Sequence, residues 1–304
     1  MMTSAQVAGL AGAELLDHQA LDLDAASRVT YVLQQAFRYD YDEPVRSLRQ
    51  RLVIVPRARH GSQYRRAHAL DVSGAQARRR VRRDSRGNVV AALHAEHVTA
   101  SVEFRLTAIL ERVRGDGPVT VPRAALTSPG LLRPTRLTAA DGPLRELSAR
   151  LADPAGTDPA GTGSLEAAER ICDGVHAALS YRDGVTTVDT TAAQALAGGA
   201  GVCQDFAHVM LAVCHLARLP ARYVSGHLLG QGGTHAWVEV VVPDGTAARA
   251  VAFDPCNGRR AGSGYLTVAT GRDYADVAPT SGSYVGGAAS RLTAQRRVGV
   301  LSAA

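Results

Sequence analysis

The chain has 304 residues, more than one small domain usually holds, and with 46% hydrophobic and 20% charged residues its composition is globular. Its net charge of +6 comes from 34 basic residues, all of them Arg, so the chain offers no lysine amine for cross-linking to itself, and any anion would be met by guanidinium forks. No apolar run approaches the roughly 18–20 residues of a membrane span, and the opening MMTSAQVAGLAGAELLDHQ lacks the basic start and compact apolar run of a signal peptide; a cytoplasmic protein without membrane attachment is expected.

Residues 1–27 are Ala- and Asp-rich and read as a loosely ordered extension. From 28 to 115 the pattern is that of strands. SLRQRLVIVP alternates until Pro56. In HVTASVEFRLTAIL, Val98, Ala100, Val102, Phe104 and Leu106 fall on one face, the period of a half-buried strand. Asp84-Ser85-Arg86-Gly87-Asn88 is a turn between two such runs. This segment is expected to be an antiparallel, sandwich-like β domain. Residues 116–163 are rich in Pro, Gly and Thr, which is linker composition, interrupted by a short helix over Pro143–Leu151.

A catalytic core is expected over 164–304. A helix begins at Ser164, which can cap it, and places Leu165, Ala168, Ile171, Cys172, Val175 and Leu179 on one stripe. A second helix, Cys203–Ala217, has little polar surface and should be buried, with Pro220 preventing its continuation. Cys172 and Cys214 read as buried core thiols. Strands then follow in ARYVSGHLL, HAWVEVVV and RAVAFD. Helices followed by a sheet make the fold class α+β. The four cysteines, at 172, 203, 214 and 256, include no C-x-x-C pair and are expected to be free thiols.

One constellation carries chemistry. Gly198-Gly199-Ala200-Gly201-Val202 leads into Cys203 at the first position of the buried helix. The first N–H groups of a helix have no internal partner, and with the helix dipole they favour an anion, whether a thiolate or a forming oxyanion. A thiolate needs a base. His235 follows a Gly-Gly-Thr approach and opens a strand, and the chain returns through a Pro-Asp-Gly-Thr turn to Asp254. A hairpin folded about Asp244–Gly245 makes His235 and Asp254 directly opposed partners, so that the carboxylate can fix the imidazole tautomer.

These segments resemble a known family. GVCQDFAHVMLAVCHLARLPARYVSGHL is similar to the cysteine segment of bacterial transglutaminase-like proteins, many of them labelled predicted cysteine proteases. THAWVEVVV resembles their histidine segment and VAFDPCNG their aspartate segment. GRDYADVAPTSGSYVGG resembles a tail motif, and YDYDEPVRSLRQRLVIVPR with DSRGNVV resembles the β-rich region that precedes the core. The resemblance implies a papain-like core, a central helix against an antiparallel sheet, and a Cys-His-Asp triad at Cys203, His235 and Asp254. It implies thiol-dependent acyl transfer from a peptide or protein amide through a thioester, to water or to an amine, with no metal or cofactor. Gln204, Tyr181 and Trp237 are candidates for the second oxyanion donor beside the Cys203 N–H. The sequence departs from the family pattern at Cys256, where Thr is usual, at Ala250-Val251, where a Trp is frequent, and in a short Gly230–Gly233 loop, all of which bear on the acyl-acceptor side. Cys256 is expected near the site.

Three other readings are weighed. A non-catalytic binding or scaffold protein on the same fold would usually lack a triad residue, and all three are present. The Arg-dense stretch 46–86 could contact phosphates, but with little aromatic interleaving it reads as the solvated face of a hairpin, and no nucleic acid partner is expected. Cys203, His208, Cys214 and His215 match no tetrahedral zinc spacing.

Overall fold

The computed structural model describes residues 7, 9, 12–151 and 164–304. Stretch 152–163 of the expected linker and the side chain of Ser164, the expected helix cap, lie outside the described residues.

The β region contains β1 (Arg28–Tyr41), β2 (Val45–Leu52), β3 (Arg59–His60), β4 (Gln63–Ser73), β5 (Arg78–Arg83), β6 (Val89–Val98) and β7 (Ser101–Val113). They form two antiparallel sheets, β1-β7-β4-β3 and β2-β6-β5. Alternation decides which face is buried: Leu33 and Phe37 of β1, Leu48 and Leu52 of β2, Leu93 and Ala95 of β6, and Phe104 and Leu106 of β7 share one core. The run expected to alternate unbroken from Val98 is two strands. The chain changes sheets at Thr99–Ala100, so Ala100 is exposed and burial resumes at Val102. The Asp84–Asn88 turn forms as expected, with the Asp84 carboxylate accepting from the N–H groups of Arg86 and Asn88, each at 2.9 Å.

The connecting segment is more structured than a linker. It holds β8 (Val119–Val121), a 3-10 turn over Arg123–Thr127, α1 (Pro129–Leu132) and α2 (Gly142–Leu151), the last being the expected helix. The second half consists of α3 (Ser164–Ala178), β9 (Ser180–Tyr181), α4 (Ala192–Gly198), β10 (Ala200–Gly201), α5 (Cys203–Leu216), β11 (Ala221–Leu228), β12 (His235–Asp244), β13 (Ala247–Asp254), β14 (Arg259–Arg260), β15 (Tyr265–Gly271) and α6 (Tyr274–Val277). Its antiparallel sheet runs β14-β13-β12-β11-β15, with β8 added to β13.

Helix α5 is buried from Gln204 to Cys214. Each of Phe206, Val209, Met210, Leu211 and Val213 removes a full apolar side chain from water, worth about 1.5–3 kcal/mol apiece. The helix stops because Arg218 takes a left-handed conformation (φ 57) and the Leu219 N–H returns to the Cys214 carbonyl, just before Pro220. Ala236, Val238 and Val240 of β12 join the core that holds α5, while Trp237 turns to the other face with Val224, Leu228 and Tyr265. Fold class is thus α+β, with β sheets preceding a helix-and-antiparallel-sheet core.

Two features depart from a sequential division of the chain. β16 (Thr280–Val285) pairs with β2 and β17 (Ser290–Ala303) with β1, so the last two strands of the segment 164–304 belong to the N-terminal sheets. Their alternating residues complete a sheet edge that is distant in sequence, a signal no local pattern carries. The expected loose extension also packs: the Leu16 N–H bonds to the Val300 carbonyl, and the Asp24 carboxylate accepts from the Ser263 N–H, both at 2.9 Å. The two halves are sewn together at β15. The side-chain amides of Gln63 and Asn88 each exchange two hydrogen bonds of 2.8–2.9 Å with the backbone of Thr267 and Thr270, as a neighbouring strand would.

Candidate active site

Cys203 is the first residue of α5, half-buried. The short parallel pairing of β10 with β9 holds its approach, with N–H bonds from Ser180 to the Gly199 carbonyl (3.0 Å) and from Arg182 to the Gly201 carbonyl (2.9 Å). Asp205, in the first turn, reaches back to the Val202 N–H (2.8 Å) and accepts from the Thr186 hydroxyl (2.6 Å). That half of a capping box requires Gly201, since a Cβ there would sit 2.5 Å from Asp205 Oδ2. The N–H groups of Asp205 and Phe206 go to the Val202 carbonyl. Those of Cys203 and Gln204 have no partner among the described residues and stand at the open helix end.

His235 and Asp254 meet, but not as directly opposed residues. The hairpin loop is Gly245–Thr246, with Gly245 at φ 56, and Asp244 pairs with Ala247. Moving the loop by one residue moves each partner by two, so the side chains stay on the same face and His235 reaches Asp254 diagonally. His235 Nε2 lies 2.7 Å from Asp254 Oδ2, and both residues are buried. Asp254, at 0% exposure, also accepts from the N–H groups of Cys256 (3.0 Å) and Asn257 (3.2 Å), the Asn257 side-chain amide (2.6 Å) and the Tyr265 hydroxyl (2.7 Å). The carboxylate is over-determined in position and charge. With Nε2 occupied, Nδ1 is the nitrogen left for the Cys203 thiol, whose sulfur also lies 3.9 Å from the Thr234 carbonyl.

The electrostatics separate His235 from His208 and His227. Burial would lower its pKa. The hydrogen bonds to Asp254 and to Cys203, and the charges of both, outweigh burial and raise it to about 9. His208 and His227 have no such partners, and burial pushes both down to about 4. Desolvation opposes ionisation of Asp254 as well, yet the His235, Asn257 and Tyr265 hydrogen bonds hold it below the usual carboxylate range.

The three candidates for a second oxyanion donor fare differently. Gln204 donates its amide to the Val188 carbonyl (3.2 Å), and the Tyr181 hydroxyl donates to Asp183 (3.1 Å), although Tyr181 stands close enough to Cys203 to feel its charge. Trp237 lies behind the imidazole, the two rings stacked at 6.1 Å. The structure therefore brings Trp237 to the histidine as packing, and commits the side-chain donors of Gln204 and Tyr181 elsewhere. Cys256 lies beside the site as expected, its N–H on Asp254. Burial, then the charges of Cys203 and Asp254, push its thiol up to about 12. Tyr265 and Asn257 were missed in the sequence. Asn257 was recoverable, because an Asn three residues after an Asp in a DPCNG turn is placed to return to it; Tyr265 arrives from a separate strand.

Two family models match the chain. The bacterial transglutaminase-like N-terminal region covers residues 31–111, and the transglutaminase-like superfamily core covers residues 150–255. An uncharacterized protein of Mycobacterium tuberculosis is 28% identical over 284 residues, covering 84% of this chain and 83% of its own length. One of Mycobacterium leprae is 38% identical over 124 residues, 38% of this chain and 43% of its own. Among solved structures, a provisionally assigned cysteine protease of Cytophaga hutchinsonii superposes with a TM-score of 0.70 at 21% identity, covering 90% of this chain and 91% of that one, a likeness of fold. The chain therefore carries a bacterial transglutaminase-like N-terminal region followed by a transglutaminase-like superfamily core.

Proposed function

We propose that the protein hydrolyses an amide bond of a polypeptide by thiol-dependent acyl transfer, with Cys203 as nucleophile, His235 as acid and base, and Asp254 orienting the imidazole. The observation that carries this reading is the buried 2.7 Å His235–Asp254 contact next to a cysteine that opens a buried helix. His235, with its pKa raised to about 9, is a cation at neutral pH and a counter-ion for a Cys203 thiolate.

Cys203 Sγ attacks the carbonyl carbon, and the oxyanion forms at the open end of α5, where the Cys203 and Gln204 N–H groups are free to donate. His235 Nδ1–H gives its proton to the departing amine. Water then attacks the thioester while His235 takes a proton from it, and the acid leaves as the thiol is restored. Water is favoured over an amine acceptor because the surroundings are open: Tyr181 is 58% exposed, and Arg182, Gln231 and Gly232 are exposed. Amine selectivity would require water to be excluded.

The test is turnover of a fluorogenic peptide-amide library by the wild type, Cys203→Ser and His235→Gln, with and without a primary amine. Release of free acid that both substitutions abolish supports the reading. A product profile dominated by amine adducts would move the assignment to transamidation. Activity surviving Cys203→Ser would sink it.

A further inference from the structure

The outer face of the sheet β16-β2-β6-β5 carries a concentration of charge that the proposed chemistry does not use. Two antiparallel rows cross it. Ser283, Arg49, His94 and Arg78 are opposed across four strands, and so are Ser281, Arg51, Ala92 and Arg80. Since i and i+2 share a face, all eight residues point the same way. Together with Gly282 they line a groove of about 660 Å³. Arg49, Arg78 and Arg80 are exposed and have no ion pair among the described residues, and Arg51 gives one N–H to the Asp276 carbonyl at 3.0 Å. At one end the exposed Glu96 lies 3.5 Å from His94 and closes the basic stretch.

The geometry points to a groove for an extended acidic polypeptide segment, with carboxylates at alternate positions. Strands β2 and β5 flank β6, so their arginines form two rails about 9.6 Å apart, twice the strand spacing. Ala92, without a long side chain, forms the floor between Arg51 and Arg80, and His94 stands between Arg49 and Arg78. Arg49 and Arg51, and likewise Arg78 and Arg80, repeat at about 6.8 Å along their strands, the repeat of same-side residues in an extended peptide. One chain of strand width fits between the rails, and guanidinium forks take carboxylates in bidentate fashion. A nucleic acid duplex suits the face poorly, because the channel is far narrower than a major groove's worth of helix. A single nucleic acid strand would want several aromatic platforms, and no Phe, Tyr or Trp lines the groove, His94 being its one ring.

This inference rests on the hydrolase reading, which it deepens by naming a substrate class: proteins carrying an acidic stretch that docks away from the cleaved bond. The groove is tied to the core, since Arg51 holds α6 at Asp276, and the Tyr274 N–H of α6 bonds to His208 on α5 at 3.2 Å.

The experiment uses full-length Cys203→Ala protein, so that its outcome does not depend on catalysis. A fluorescent peptide of alternating Glu and Ala, a peptide with the same Glu residues in one block, an oligonucleotide of equal charge and phosphatidylserine vesicles are titrated at low and physiological salt. Expected are binding of the alternating peptide in preference to the others and a loss of about tenfold or more in Arg78→Ser/Arg80→Ser. That variant changes only exposed residues of an edge strand and is checked by an unchanged melting temperature. Absence of peptide binding, binding unaltered in the variant, or tighter binding of the oligonucleotide or vesicles lost in the same variant would each overturn the assignment.

Discussion

Replacing Asp254 by Asn removes the charge that keeps His235 protonated while leaving its shape. In the wild type the imidazole is raised from 6.5 to about 9 against the effect of burial. At about 1.4 kcal/mol per pH unit that difference is worth on the order of 3 kcal/mol. Without the carboxylate, burial acts on a histidine that is only 3% exposed, and its midpoint should fall to or below 6.5. The sign for stability follows. A group raised in the folded state contributes fully below its unfolded value, near 6.5, and loses the contribution as pH rises through about 9. The wild type should therefore lose stability between about pH 6.5 and 9, and the variant should be flat across that window. The assay is an NMR titration of histidine ring carbons, with His235 assigned by His235→Gln, together with urea unfolding at several pH values. A His235 midpoint still above 8 in Asp254→Asn would refute the reasoning, since Cys203 or some other group would then be holding the proton.

Iodoacetamide at neutral pH should label Cys203 and spare the rest: burial pushes Cys172 and Cys256 up to about 12 and raises Cys214 too, so peptide mass spectrometry should find all three unmodified until the protein unfolds. Gly201→Ala drives a Cβ to within 2.6 Å of the Asp205 Cβ, and thermal unfolding should report a loss of about 1–3 kcal/mol with a larger proportional loss of turnover. Glu239→Gln takes the buried carboxylate away from the Arg222 guanidinium and from its contact with His60, and should destabilise by about 3–5 kcal/mol in urea. Burial opposes ionisation of Glu239, but His60 and Arg222 hold its pKa far below 4.5, so this contribution exists above that pH and is lost as pH falls through the lowered value.

The local features were legible because local physics sets them. α5 reads from its largely apolar run, the Asp84 turn from its residues, and the partnership of His235 with Asp254 from a hairpin whose loop is expected one residue too early. That error was harmless because two-residue steps preserve the face. What the sequence hid depends on contacts between distant segments. Nothing near Ser290–Ala303 says that it pairs with β1, and nothing near Tyr265 says that its hydroxyl ends on Asp254. The break at Thr99–Ala100 was hidden for a different reason, since a strand that changes sheets keeps its alternation almost intact.

The place of β17 bears on how the chain is made. The Arg28 N–H meets the Ala304 carbonyl and the Ala304 N–H meets the Arg28 carbonyl, so the first strand is closed by the last. A chain emerging from the ribosome exposes the outer edge of β1 until residues near 300 have been synthesised. The β1 sheet cannot be completed before the whole core segment that precedes β17 has been made. Such sequence-distant pairing slows folding and leaves an unpaired edge open to other chains meanwhile. Deleting β17 should therefore show itself first as aggregation during expression, even though the deletion leaves the triad untouched.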